Sequence, residues 1–243
     1  MTIFLVYHRV TGARRDPYTV PPDVLESHLE TIRAAGVRLL DPLELDAGLA
    51  GIVLCFDDGT VDHSETVAPI LERAGVRAIF YVPTAKVGRE GYLKPEQLRR
   101  LHEAGHVIGA HGHTHDRLDV MPRPRMRQEL ATCSETIRAL IGVPPVHLAP
   151  PGGFSSAWVV EEARQAGFLF VRTMRWGYNR TWDPTGLEAV PVTARWGDLV
   201  VRLCAAGMGN GLLKFAYVLK HAVRCLVSEP AYGRLRRVVA GGR

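Results

Sequence analysis

The chain has 243 residues, 47% of them hydrophobic, which is enough to bury one sizeable core and predicts a single principal domain. A formal charge of +5, with acids and bases interspersed over most of the length, is too mild to argue for nucleic acid, and no nucleic-acid partner is expected. Cys55, Cys133, Cys204 and Cys225 form no Cys-x-x-Cys pair, which argues against a zinc knuckle or disulfide framework and predicts reduced thiols.

In chain order, Thr2–Tyr7 is rich in β-branched and aromatic residues and predicts a first strand that delivers His8 at its carboxyl end. This opening run carries no basic leader and is too short for a signal peptide or a membrane span, so a cytoplasmic protein is expected. Pro21 and Pro22 open an amphipathic helix with Val24, Leu25, Leu29 and Ile32 on one face and Gly36 just past its end. Residues 37–40 predict a strand and 43–49 a short helical stretch. The apolar run Gly51–Phe56 predicts a buried strand that stops at Asp57-Asp58-Gly59-Thr60.

The alternation continues with helix 66–74, strand 76–82 closed by Pro83, helix 95–104, strand 106–110 and a long helix over 123–141. Strand 146–149, helix 155–166, strand 168–173 and a last strand at 190–193 follow. Four helices end in glycine feeding a strand, at Ala35-Gly36, Ala74-Gly75, Ala104-Gly105 and Ala166-Gly167. Such a series implies parallel strands joined by right-handed crossovers, and periodicity leaves open whether they close into a barrel.

Beyond the last strand, residues 199–206 and 212–227 predict helices separated by Gly207-Met208-Gly209-Asn210-Gly211. The segment 207–243 is basic, with Lys214, Lys220, Arg224, Arg234, Arg236, Arg237 and Arg243, and reads as a helical extension of a domain spanning 1–206. Its cations suit a solvated face or peripheral contact with anionic headgroups or phosphorylated carriers. Its apolar face, with Leu212, Leu213, Phe215, Ala216, Leu219, Val223 and Leu226, is expected to pack on the barrel.

Asp57 and Asp58 lie where ligands bind in α/β architectures, at the carboxyl end of a strand, although Asp and Gly also form turns and caps. A second apolar stretch ends in His111, His113 and His115. One carboxylate and two imidazoles can hold a divalent ion and leave positions free for water and substrate. A helical turn would bring His111 and His115 together, whereas extended backbone would pair His111 with His113 or His113 with His115. The second arrangement is that of metallohydrolases with a His-x-His pair, such as amidohydrolases or metallo-β-lactamases, although His115-Asp116 does not follow the order of the latter.

Phe56-Asp57-Asp58-Gly59, Gly105-His106-Val107-Ile108-Gly109-Ala110-His111 and then His115 resemble the polysaccharide deacetylases, the NodB-like domain of carbohydrate esterase family four. The resemblance extends to Tyr7-His8-Arg9-Val10, Tyr92-Leu93-Lys94-Pro95-Glu96-Gln97-Leu98 and Ala149-Pro150-Pro151-Gly152-Gly153, and covers about residues 1–193. It implies an α/β fold, a distorted (β/α) barrel of seven strands, and removal of an acyl group, usually acetyl, from the nitrogen of an amino sugar. It makes Asp57 the catalytic base and Asp58, His111 and His115 the ligands of one divalent metal ion, with zinc expected.

Two departures follow. Ala149 stands where the family has an arginine that orients the base, and Arg172 or Arg175 are the substitutes considered. The family's late Leu-x-His motif, which supplies the general acid, is matched in letters by Leu219-Lys220-His221, but in a basic helical segment, and His8 is the preferred acid. Trp176 and Trp196 are candidates for stacking on a sugar ring, with Trp176 taken as the substrate-binding residue. The expected activity is deacetylation of an intracellular or carrier-linked amino sugar. A deformylase of a lipid-linked amino sugar and a non-catalytic glycan-binding or lipid-linked-sugar-binding relative are the alternatives.

Overall fold

The computed structural model describes residues 1–13, 16–45, 49–195 and 197–226, with side chains described through residue 219. Seven parallel strands close into a barrel in chain order: β1 (Thr2–Tyr7), β2 (Gly51–Phe56), β3 (Ile79–Val82), β4 (Val107–Ala110), β5 (His147–Leu148), β6 (Phe170–Trp176) and β7 (Leu187–Pro191). β1 and β2 run in register from Thr2 opposite Gly51 to Tyr7 opposite Phe56, and β1 meets β7 at Phe4–Ala189 to close the ring.

Every residue of β1 and β2 is buried, because one face fills the barrel and the other lies under helices. Period-two alternation sorts them. Phe4, Val6, Val53, Cys55, Ile79, Tyr81, Leu187 and Ala189 form the inner core, while Ile3, Leu5, Tyr7, Ile52, Leu54 and Phe56 pack outward. The inward rows, continued past the strand ends, run from Val6 to His8, from Cys55 to Asp57 and from Val107 to His111. The fold thus aims a ring of polar side chains at one pole of the barrel.

The connecting helices are α1 (Pro22–Ala34), α2 (Ala68–Arg73), α3 (Pro95–Glu103), α4 (Arg123–Ile141) and α5 (Ala157–Gln165). The four predicted Ala-Gly ends are present, with glycine φ between 60° and 91°. Ser156 caps α5 by accepting from the Val159 N–H.

The predicted strand at 37–40 is reduced to a bridge between Leu39 and Ile52, held by Leu40 N–H to the Ile52 carbonyl and Ile52 N–H to the Arg38 carbonyl, each 2.8 Å. The cause is that β3 pairs with β2 only at Cys55 and Phe56, so residues 38–40 fill the gap beneath it. A short parallel pair, Arg9–Val10 with Thr19–Val20, follows β1. The second helix starts earlier than predicted, through a wide π-type turn at His63–Val67.

After β7, α6 (Gly197–Ala205) packs on α1, where Tyr7 Oη, His28 and Asp198 form a chain at 3.0 and 2.8 Å. The last described element is α7 (Asn210–Leu226). Its apolar face does not pack on the barrel as expected. Leu213 is buried, Ala216 partly so, and Leu212, Phe215 and Leu219 face outward. The body-facing side is held by other contacts, Lys214 to Glu188 at 2.9 Å and Tyr217 against Trp176. Val223 and Leu226, expected on the same face, lie outside the described side chains.

Candidate active site

Asp58 and His115 are the two non-glycine residues at positive φ among the described residues, at 78° and 76°. Left-handed backbone disfavours L residues and persists where the surroundings over-determine it. Here both residues turn toward one point. His115 Nε2 lies 3.0 Å and His111 Nε2 3.5 Å from Asp58 Oδ1, and the three ligand atoms sit within 4.8 Å of one another. His111 and His115 therefore do pair, but the left-handed turn at His115 joins them, in place of the helical turn considered above.

His113 is directed elsewhere. Its Nδ1 lies 2.8 Å from Thr84 Oγ1 and its N–H donates to Glu129 Oε1, which also accepts from the Thr114 N–H and hydroxyl. The extended pairings through His113 are thereby set aside.

The donor chemistry of the cluster fits a cation. His111 Nδ1 is 2.6 Å from the Ala149 carbonyl, which only accepts, so Nδ1 carries a hydrogen and Nε2 is the ring atom turned toward the Asp58 carboxylate. Two lone-pair donors face to face need a proton or a metal ion between them. Burial acts to raise the Asp58 carboxyl, yet hydrogen bonds from His111 and His115, with the nearby His8, hold it well below the usual carboxylate range.

Asp57 has a different partner. Arg172 reaches it from β6, with Nη2 2.6 Å from both carboxylate oxygens, and the two side chains are 1% and 4% exposed. Burial disfavours the Arg172 cation, but Asp57 overrides it and keeps the guanidinium above its ordinary range. Behind it, the guanidinium lies 4.8 Å over the Tyr81 ring and Nη1 is 2.9 Å from Met174 Sδ. The Tyr81 ring in turn lies on Gly109, where a Cβ would sit 2.6 Å from it. Of the two arginines considered, Arg172 is the one at the acid. Arg175 donates to the Gly186 carbonyl at 2.7 Å. Ala149 contributes only its backbone, through His111.

His8 stands beside these acids. Its ring tilts against Tyr18 with centroids 4.8 Å apart, and its Nδ1 is buried without a hydrogen-bond partner among the described residues. Burial lowers its pKa, while Asp57 and Asp58 pull in the opposite direction. Two residues that sequence reasoning missed fix this segment. His63 Nε2 donates to the His8 carbonyl at 2.6 Å, and Asp62 Oδ2 accepts from the Val10 N–H at 2.7 Å. Their closeness in sequence to Asp57-Asp58 was the only signal available.

The Trp176 ring tilts against Tyr217 of α7, 6.2 Å between centroids, and is partly buried against the outer core, contacts that give it a packing role beside the expected one as a sugar platform. Trp196 and the side chain of His221 lie outside the described residues.

A closed parallel β/α barrel with a carboxylate and two imidazoles at one pole, beside an arginine-held second acid, has the form of a hydrolase centre. A sequence profile of the polysaccharide deacetylase family matches residues 47–171, just over half of the chain, and the protein belongs to that family. A peptidoglycan-N-acetylglucosamine deacetylase of Bacillus cereus is 26% identical over 145 residues, which are 59% of this chain and 50% of that protein. The chain spans between 45% and 61% of the length of the first curated relatives.

Among solved structures, IcaB from Ammonifex degensii superposes with a TM-score of 0.76 at 24% identity, covering 82% of this chain and 95% of that one. The Streptococcus pyogenes deacetylase PplD, in complex with acetate, gives 0.73 at 18%, covering 84% and 96%. These likenesses establish the barrel.

Proposed function

We propose that the protein is a metal-dependent N-deacetylase that hydrolyses the amide of an N-acylated amino sugar, with one zinc ion held by Asp58, His111 and His115. The observation that carries this reading is the division of labour between adjacent acids: Asp58 faces the imidazoles, while both oxygens of Asp57 are engaged by Arg172. When bound, the ion supplies polarisation of the amide carbonyl and acidification of water.

The chain's own residues do the rest. Arg172 donates to both oxygens of Asp57 and so orients the carboxylate that would accept a proton from the attacking water. The Ala149 carbonyl fixes the His111 ring. His8 is the proposed proton donor to the departing nitrogen, because its buried Nδ1 is uncommitted and it lies within electrostatic reach of Asp57. Since burial favours neutral His8 in the resting protein, it would take up its proton during the reaction, from Asp57.

Family membership supports an N-acylated sugar as substrate, and likeness to the peptidoglycan-N-acetylglucosamine deacetylase of Bacillus cereus supports an acetyl group on glucosamine. An intracellular or carrier-linked intermediate is our reading of the finer substrate, supported by the basic segment 207–243, whose charge suits an anionic carrier. A formyl group would meet the same chemistry. The binding-only alternative is motivated by the missing counterparts of the family's arginine and late histidine, and the Arg172–Asp57 pair weighs against the first of these grounds.

The test is release of acetate or formate from a panel of N-acylated sugars, oligosaccharides and sugar nucleotides, with chelator and with zinc restored. Metal-dependent acetate release is expected. Absence of turnover across the panel with every divalent metal tried would overturn the reading.

A further inference from the structure

Residues 210–243 carry seven Lys and Arg against a single acid, Glu229. The whole chain has 30 Lys and Arg and 25 Asp and Glu, so residues 1–209 hold 23 against 24 and are close to neutral. The entire positive surplus therefore belongs to α7 and the residues after it. Within α7 there is no acid at all, and Lys214, Lys220 and Arg224 are its cations.

The same helix presents an apolar row to solvent. Leu212, Phe215, Val218 and Leu219 recur at three- and four-residue spacing and are 61%, 66%, 63% and 55% exposed. The opposite side carries the attachments to the barrel: buried Leu213, Lys214 on Glu188, and Tyr217 on Trp176. The helix is anchored by its less apolar side, and large hydrophobic side chains are turned outward at a cost in solvation.

We infer that the outer face of α7 docks on an anionic lipid surface, lying in the interface plane with Leu212, Phe215, Val218 and Leu219 inserted, drawn there by the net positive charge of residues 210–243. Charge decides among the possible occupants. Apart from Lys214, which is paired to Glu188, residues 210–243 carry six cations against one acid, so a second copy of this segment would meet net charge of the same sign. An anionic bilayer supplies both an apolar phase and the missing negative charge. Among the described residues no helix is long and apolar enough to cross a membrane. The inference rests on this surface alone and is independent of the proposed reaction.

The test is flotation of the full-length protein with phosphatidylcholine vesicles, with and without phosphatidylglycerol, together with light scattering for oligomeric state. With Lys214 paired to the barrel, the two remaining helix cations, Lys220 and Arg224, predict roughly a thirtyfold preference for the anionic vesicles, weakened by salt. Phe215→Glu with Leu219→Glu is expected to abolish flotation while circular dichroism and release of acetate from a soluble substrate stay unchanged. Val218→Ser, a milder change on the same face, is expected to weaken flotation about tenfold or less, and serves if the double variant misfolds. Equal binding to neutral vesicles, no binding to either, flotation insensitive to these substitutions, or a dimer that Phe215→Glu dissociates would each overturn the inference.

Discussion

Replacing Arg172 by methionine removes the charge, keeps most of the volume and leaves Asp57 buried without a cation. The pair is almost fully withdrawn from water, at 1% and 4% side-chain exposure, so solvent cannot take over the role of the missing partner. Breaking such a pair from one side costs about 3–5 kcal/mol. Replacing both, as in Arg172→Met with Asp57→Leu, removes the uncompensated charge and recovers most of that loss. Equilibrium urea unfolding of the wild type, both single variants and the double variant closes a thermodynamic cycle, with an expected coupling of at least about 2 kcal/mol. In the same single variant, kcat on an N-acetylated sugar falls by about a hundredfold through misplacement of the base, with zinc affinity retained because Arg172 does not touch Asp58. Additivity within about 0.5 kcal/mol, or an unchanged kcat, would refute the reasoning.

Gly109→Ala drives a methyl into the Tyr81 ring that backs Arg172, and is expected to cost about 1–3 kcal/mol in urea unfolding and to lower kcat without changing zinc affinity. His115→Gly relieves left-handed backbone at 76°, so the metal-free protein is expected to gain up to about 1 kcal/mol while calorimetric zinc binding is lost; destabilisation by more than that amount contradicts it. His106 and His147 are both lowered to about 4, by burial in each case, with Arg77 adding to the effect at His106. Because the unfolded chain binds these protons more readily, their contribution is complete above the unfolded value of 6.5 and is lost as pH falls toward about 4, at about 1.4 kcal/mol per pH unit per histidine. Unfolding free energies measured across that window should show this slope, His147→Gln should reduce it, and a flat profile contradicts the assignment.

The barrel was legible because most of its strands are apolar runs, three of them, β3, β4 and β6, beginning after Ala-Gly helix ends, a pattern set by backbone conformation and burial. β7 was half missed. Leu187-Glu188-Ala189 has little strand character, and its place depends on Asn179, whose side chain bonds the Glu188 N–H and carbonyl, both at 2.9 Å. The ligand residues were legible by type and order. Their convergence was not, since nothing local to His115 announces a left-handed turn.

Either Arg172 or Arg175 suits the missing arginine by type, and alternation separates them: Phe170 and Met174 pack on the inner core with Arg172 between them in the same row, while Arg175 falls in the other. For α7 the pattern gave an amphipathic helix but not the direction of its apolar face, because periodicity defines a face and only tertiary contacts decide what covers it. Trp176 shows the same limit, since an aromatic residue near a strand end suits a platform or a core equally.

The claim at the centre of the account is that neighbouring aspartates have separate tasks, and a paired measurement addresses it. Zinc binding by calorimetry and acetate release would be determined for Asp57→Asn and Asp58→Asn. The account predicts that Asp57→Asn binds zinc like the wild type and releases no acetate, whereas Asp58→Asn loses the metal. Loss of zinc by Asp57→Asn, or wild-type affinity and turnover in Asp58→Asn, would contradict it.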